Sequence, residues 1–171
     1  MTPREAEEYR ALRATIRERG TARVSLFLAG LAVWAALSLA TAALASPPVA
    51  TLLPLLVLAA VFEAVWELHV GVERVGRYLQ VFYDDGWEHA AMAFGRPSGA
   101  VRSDPLFAAF FALAALCNLA PAMIASPTRE EFIFTGGAHA LFLLRVVVAR
   151  QAASKLRVID LERFHQIKDN A

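Results

Sequence analysis

The stretch VSLFLAGLAVWAALSLATAALA, residues 24–45, decides the fold. It runs for 22 residues without a charge and is followed by Ser46, Pro47 and Pro48. A bilayer has a hydrocarbon core about 30 Å thick and a helix rises about 1.5 Å per residue, so ~20 apolar residues make one crossing. The two prolines then stop the helix.

Working outward, three further runs have the same character. The second spans residues 49–71; it is cleanly apolar from Val49 to Phe62 and continues through Glu63, Glu67 and His69 to Gly71. The third spans 105–125 and is closed by Ser126 and Pro127. The fourth spans 132–150, with Arg145 inside it. Lipid offers no water to satisfy an open backbone, so each run is expected to be a helix.

The composition agrees. Apolar residues make up 57% of the 171 and charged residues 19%, with a mean hydropathy of +0.46. Soluble domains average about 45–50% and about 25%. Intrinsic disorder is excluded and an ordinary soluble domain is disfavoured. A net charge of +1 provides no global field to attract nucleic acid, and no nucleic-acid partner is expected. The single cysteine, Cys117, cannot form an intrachain disulfide and reads as a packing residue. The preference for Arg over Lys, with many Ala, hints at a bacterial source.

The basic residues set the orientation. Arg4, Arg10, Arg13, Arg17, Arg19 and Arg23 precede the first run, and Arg74, Arg77, Arg96 and Arg102 lie between the second and third. From Arg145 onward come Arg150, Lys155, Arg157, Arg163 and Lys168. With both termini in the cytoplasm, only Arg129 falls on the outer side, as the positive-inside rule expects. The expected location is the plasma (inner) membrane, multi-pass. Ala43, Leu44 and Ala45 have the form of a signal-peptide cleavage site. The preceding segment is nevertheless long and holds four Glu, so the first run is expected to be retained.

The expected fold is therefore all-α: a single membrane domain, an antiparallel up-down bundle of four transmembrane helices with helical cytoplasmic extensions. Ladders of small residues, Ala32, Ala36 and Ala40 and again Gly136 and Ala140, are expected to let helices approach closely.

The cytoplasmic parts are amphipathic. Thr2, Pro3 and Glu5 form a helix start with a capping box. Tyr9, Leu12 and Ile16 then share a face beside the stripe Arg10, Arg13 and Arg17. Such a helix, residues 1–23, can lie on anionic lipid or pack on the other cytoplasmic segments. Residues 72–104 read as a helical extension, stopped at Asp84, Asp85 and Gly86, and a loop. Arg77, Tyr83 and Trp87, with Arg10, Arg13 and Arg17, are candidate contacts to lipid or a partner. The tail 151–171 continues the fourth helix.

Ionisable side chains at membrane depth raise a functional question by default. Glu63 and Glu67 are four apart and share a helix face. Counted from the outer turns, Glu63 and Arg145 fall at similar depth, so a cluster of Glu63, Glu67 and Arg145 is expected. It supports a proton or cation relay, a buried pair fixing helix register, or snorkelling of Glu67 and Arg145 to the inner interface. Nearer the outside, Ser38, Asn118 and His139 sit about seven residues from their span ends and can form a second polar layer.

Enzyme and cofactor sites find little footing. His69 and His139 differ in depth, against a shared haem. The pairs Glu67 with His69 and Glu88 with His89 lack di-iron spacing. No zinc motif, phosphate loop or nucleophile elbow occurs, so no metal, cofactor or catalytic residue is expected. The leading expectation is a non-enzymatic subunit or scaffold of a membrane complex, with the bilayer and a homo-oligomeric or other membrane subunit as partners. The alternatives are a proton- or cation-linked carrier or channel using Glu63 and Glu67, and a pigment- or lipid-binding protein using the aromatics around Phe82, Tyr83 and Trp87.

Overall fold

A computed structural model describes residues 1–44, 47–84, 86–94, 104 and 106–170. The expected loop around Gly95, Arg96 and Pro97, with Arg102, lies outside the described residues, as do Ser46, Asp85 and Pro105. The chain is all-helical among the described residues: α1 (Pro3–Ala43), a short 3₁₀ turn (Pro48–Thr51), α2 (Leu52–Phe82), α3 (Gly86–Phe94), α4 (Ala108–Ile124) and α5 (Arg129–Asp169). The segments holding α1, α2 and α5 are long and apolar enough to cross a membrane, while α4 has 17 residues.

Local chemistry explains most of the helix ends. Thr2 accepts from the Glu5 backbone N–H and the Glu5 carboxylate accepts from the Thr2 N–H, closing the expected capping box. Thr128 and Glu131 form the same box. They start α5 at Arg129, three residues before the expected 132. The start of α4 is also shifted, from the expected 105 to Ala108. Phe107 takes a left-handed conformation (φ 52°), Asp104 accepts from its N–H, and the Asp104 carboxylate caps the Ala109 N–H at 2.9 Å. Stacking of the Phe107 ring on Phe27, 4.2 Å between centroids, holds that turn.

The expected N-terminal helix, residues 1–23, and the expected first span, residues 24–45, join without a helix break. One uninterrupted helix carries residues 3–43, so the N-terminal segment is the lower half of α1 rather than a separate surface helix. It packs along α2: Glu8 accepts from the Tyr78 hydroxyl at 3.1 Å, and the Tyr9 ring meets Tyr83 at 5.6 Å.

Four phenylalanines join the four long helices. Phe27 of α1 meets Phe111 of α4 edge-on at 5.6 Å, Phe111 meets Phe62 of α2 at 5.2 Å, and Phe62 meets Phe142 of α5 at 6.0 Å. Leu58, Val65, Ala115 and Ala149 fill the space around them. Helix α2 is the most enclosed, with α1 and α5 against it.

The close approach of α1 to α2 occurs at Gly30, where an added Cβ would run into the Val61 side chain. The ladders expected for this purpose lie elsewhere. Ala32, Ala36, Ala40 and Ala140 are exposed, and Gly136 faces open space. Small size permits a close approach; the register of the buried phenylalanines decides which small residue makes it. Cys117, expected in the packing, is also exposed.

Candidate functional site

Polar side chains gather at three levels along the bundle. At the end formed by the two short turns, Asn118 is 2% exposed and uses its whole amide. Its Oδ1 accepts from the Ser38 hydroxyl at 3.4 Å. Its Nδ2 donates to the Thr51 carbonyl at 2.7 Å and to His139 Nε2 at 3.0 Å. His139 Nδ1 lies 2.8 Å from the Thr135 carbonyl. A carbonyl only accepts and an amide nitrogen only donates, so His139 carries its hydrogen on Nδ1. Ser38, Asn118 and His139 thus meet, and Thr51 and Thr135 complete the group. A cleft of about 320 Å³ opens nearby between Thr41, Pro48, Thr51, Pro121 and Ala125. Both threonine hydroxyls already donate to carbonyls, Thr41 to Ser38 and Thr51 to Pro48, which leaves their oxygens as acceptors.

At the middle level, Arg145 Nη2 lies 2.7 Å from Glu63 Oε2. The guanidinium also sits over the Phe62 ring at 5.8 Å and the Trp66 ring at 5.6 Å. The pair bridges α2 and α5 on their outward flank, with 37% of the Arg145 side chain and 47% of the Glu63 side chain exposed. Glu67 is exposed one turn further along α2 and stands apart from this pair. The expected three-membered cluster is therefore a two-membered one.

The third level lies toward the termini. Arg77, expected to face lipid or a partner, is 4% exposed. Its Nη1 donates to Asp160 Oδ2 at 2.7 Å and its Nη2 to Glu73 Oε2 at 3.1 Å. Arg157 reaches the same Glu73 oxygen at 3.4 Å, and Arg74 reaches Asp160 at 3.5 Å. Arg23 Nη1 lies 3.1 Å from His69 Nδ1, tying α1 to α2 one turn from Glu73.

Beyond it, aromatic rings clamp α1, α2 and α5. Tyr78 stacks on Phe82 at 4.6 Å and meets Phe164 edge-on at 5.7 Å, and Tyr83 packs near Tyr78 at 6.1 Å. Desolvation, then the hydrogen bond and charge of Glu8, push the Tyr83 phenol up to about 12 and raise Tyr78 as well. Arg13 Nε donates to the Tyr9 hydroxyl at 3.1 Å. Arg10, Arg17 and Trp87 are exposed.

Sequence reasoning missed Glu73, Arg157 and Asp160. The signal was present: counting from the turn ends, which pairs Glu63 with Arg145, also pairs Arg77 with Asp160. Arg77 and Asp160 both lie beyond the apolar runs expected to end at 71 and 150. Among the described residues, no group of three or more His, Cys, Asp or Glu side chains is placed to hold a metal ion. Compared with protein-family models, curated proteins and solved structures, the chain matches none.

Proposed function

We propose that this chain is an integral protein of the inner membrane, crossing it four times with both termini in the cytoplasm, and that it serves as a non-catalytic subunit or scaffold of a membrane assembly. Supporting the membrane reading are three helical segments of sufficient length and hydropathy. At 17 residues, α4 covers about 25 Å, close to the hydrocarbon thickness.

The observation that carries the assembly reading is the half-exposed Glu63–Arg145 pair. It lies about 20 Å along α2 from the turn end, within the hydrocarbon layer of about 30 Å. Around it, Leu56 is 66% and Leu141 69% exposed. A single charged side chain at the centre of a membrane helix costs about 2.5–3.5 kcal/mol on insertion scales, and ionisable groups inside a membrane almost always face protein rather than lipid. Covering the pair with another protein surface removes that cost. A relay through Glu63 and Glu67 has less support, because Arg145 already holds Glu63 and Glu67 stands outside the pair.

The test is extraction of the wild-type chain with its surrounding lipid, followed by particle mass measurement. The expected particle contains protein beyond one 18.6 kDa chain. A particle with a single chain overturns the assembly reading. Release by alkaline carbonate, or tags on the two termini found on opposite faces of vesicles, overturns the membrane topology.

A further inference from the structure

The uncovered flank has a regular layout. On α2, Leu56, Ala60, Glu63 and Glu67 recur at spacings of three and four, and Leu56, Ala60 and Glu67 are exposed. On α5, Leu141, Arg145 and Val148 keep the same rhythm, and Leu141 and Val148 are exposed. The 2.7 Å bond between Glu63 and Arg145 places the two stripes side by side. Together they form a two-helix face, apolar except for one acid and one base near its centre and Glu67 one turn toward the termini.

We propose that a second copy of this chain covers this face, related by a twofold axis along the bundle, so that Glu63 of each copy meets Arg145 of the other. The inference rests on the membrane-subunit reading above and names its partner.

Charge complementarity selects this occupant. Glu63 and Arg145 touch, so they lie at one level of the bundle. A twofold axis parallel to the bundle preserves level, and it sets acid opposite base and base opposite acid. The four charges then alternate in sign and sum to zero. A partner carrying only acid or only base at that level leaves one member of the pair facing a like charge. Membrane insertion orients all copies alike, which is the orientation this axis requires. Ala60 on α2, one turn from Glu63, and Gly137 on α5, with open space beyond it, leave room for the second copy's backbone to approach.

The experiment uses the full chain in lipid nanodiscs and reads particle mass. Wild type is expected as a dimer. Glu63→Arg leaves two bases on the face and Arg145→Glu leaves two acids. Each alone is expected to weaken dimerisation by about a hundredfold or more, because like charges then face each other. Coexpressed under different tags, the two variants are expected to recover mixed dimers in which each copy supplies what the other lacks. Recovery also shows that both variants fold. If neither variant accumulates, Ala60→Cys in a Cys117→Ser background decides instead, by thiol cross-linking between copies, with Leu39→Cys on α1 as the negative position.

Equal dimerisation of the single variants, absence of mixed dimers from variants that do accumulate, or cross-linking at residue 39 but not at residue 60 overturns the proposal. Those results leave the assembly reading intact. A chain that is monomeric alone but cross-linked through residue 60 to a different polypeptide overturns the second copy while also leaving that reading. A monomer with no cross-linked partner overturns both.

Discussion

Arg77 Nη1 lies 2.7 Å from Asp160 Oδ2, with 4% and 8% of the two side chains exposed. This pair fastens α2 to α5 where both continue past their apolar stretches. Removing one member of a buried pair strands the other charge, which costs about 3–5 kcal/mol. Asp160→Ala is expected to lower the unfolding free energy by roughly that amount, measured by denaturant titration of helical ellipticity. Replacing both residues together, Arg77→Met with Asp160→Leu, is expected to restore most of the loss. A double variant as unstable as the single one would show that packing, rather than stranded charge, sets the cost.

Gly30 and Val61 give a second test. A Cβ at residue 30 collides with a branched side chain that has no flexible end to move aside. Gly30→Ala is expected to destabilise the α1–α2 contact by about 1–3 kcal/mol, the usual range for overpacking. Adding Val61→Ala opens the space and is expected to recover part of the loss. Thermal unfolding of the four proteins in the double-mutant cycle measures the coupling, and strict additivity counts against the close approach.

The aromatic clamp predicts a response to alkali. The Tyr83 phenol is raised from 10.0 to about 12, so folding favours its neutral form. Its contribution to stability is fully present below pH 10 and is lost as the pH climbs toward 12. Tyrosinate absorbance is expected to show a late-titrating phenol, and the melting temperature to fall across the same window. The Glu8 carboxylate is among the causes of the shift, so Glu8→Gln is expected to move the late titration to lower pH. A titration unchanged by that substitution would remove Glu8 from the clamp.

Asn118 is the hub of the turn-end layer. Asn118→Leu leaves the Thr51 carbonyl and the Ser38 hydroxyl without their amide partner and frees His139 Nε2. An intramolecular hydrogen bond contributes about 0.5–1.5 kcal/mol net. The variant is expected to lose about 1–2 kcal/mol, read as a lowered midpoint in detergent unfolding. His139→Ala made on top of it is expected to add less than it does alone, because their shared bond is already gone.

Much of this was legible in the residues. The turn at Pro47–Pro48 and the uncharged run before it fix where α1 must end and the chain must fold back. Counting turns from that point places Ser38, Asn118 and His139 together, and Glu63 with Arg145. What stayed hidden depended on rotation rather than distance along the helix. Glu67 shares a broad face with Glu63 but points far enough aside to miss Arg145. The alanines of α1 form a clean ladder, yet Gly30 makes the contact because Phe27, three residues before it, is drawn into the phenylalanine chain. Arg77 looks like a surface arginine until Asp160, 83 positions later, is brought against it.

Helix α1 engages its neighbours at both extremities, through Tyr9 near the start and Ser38 near the finish, with no break between. Each residue of an α-helix advances the azimuth by about 100°. One inserted or deleted residue between those positions would therefore swing one set of contacts out of register while the other stayed seated. A change in the number of residues there disturbs more contacts than any single substitution, so insertions and deletions should be confined to the stretches outside it.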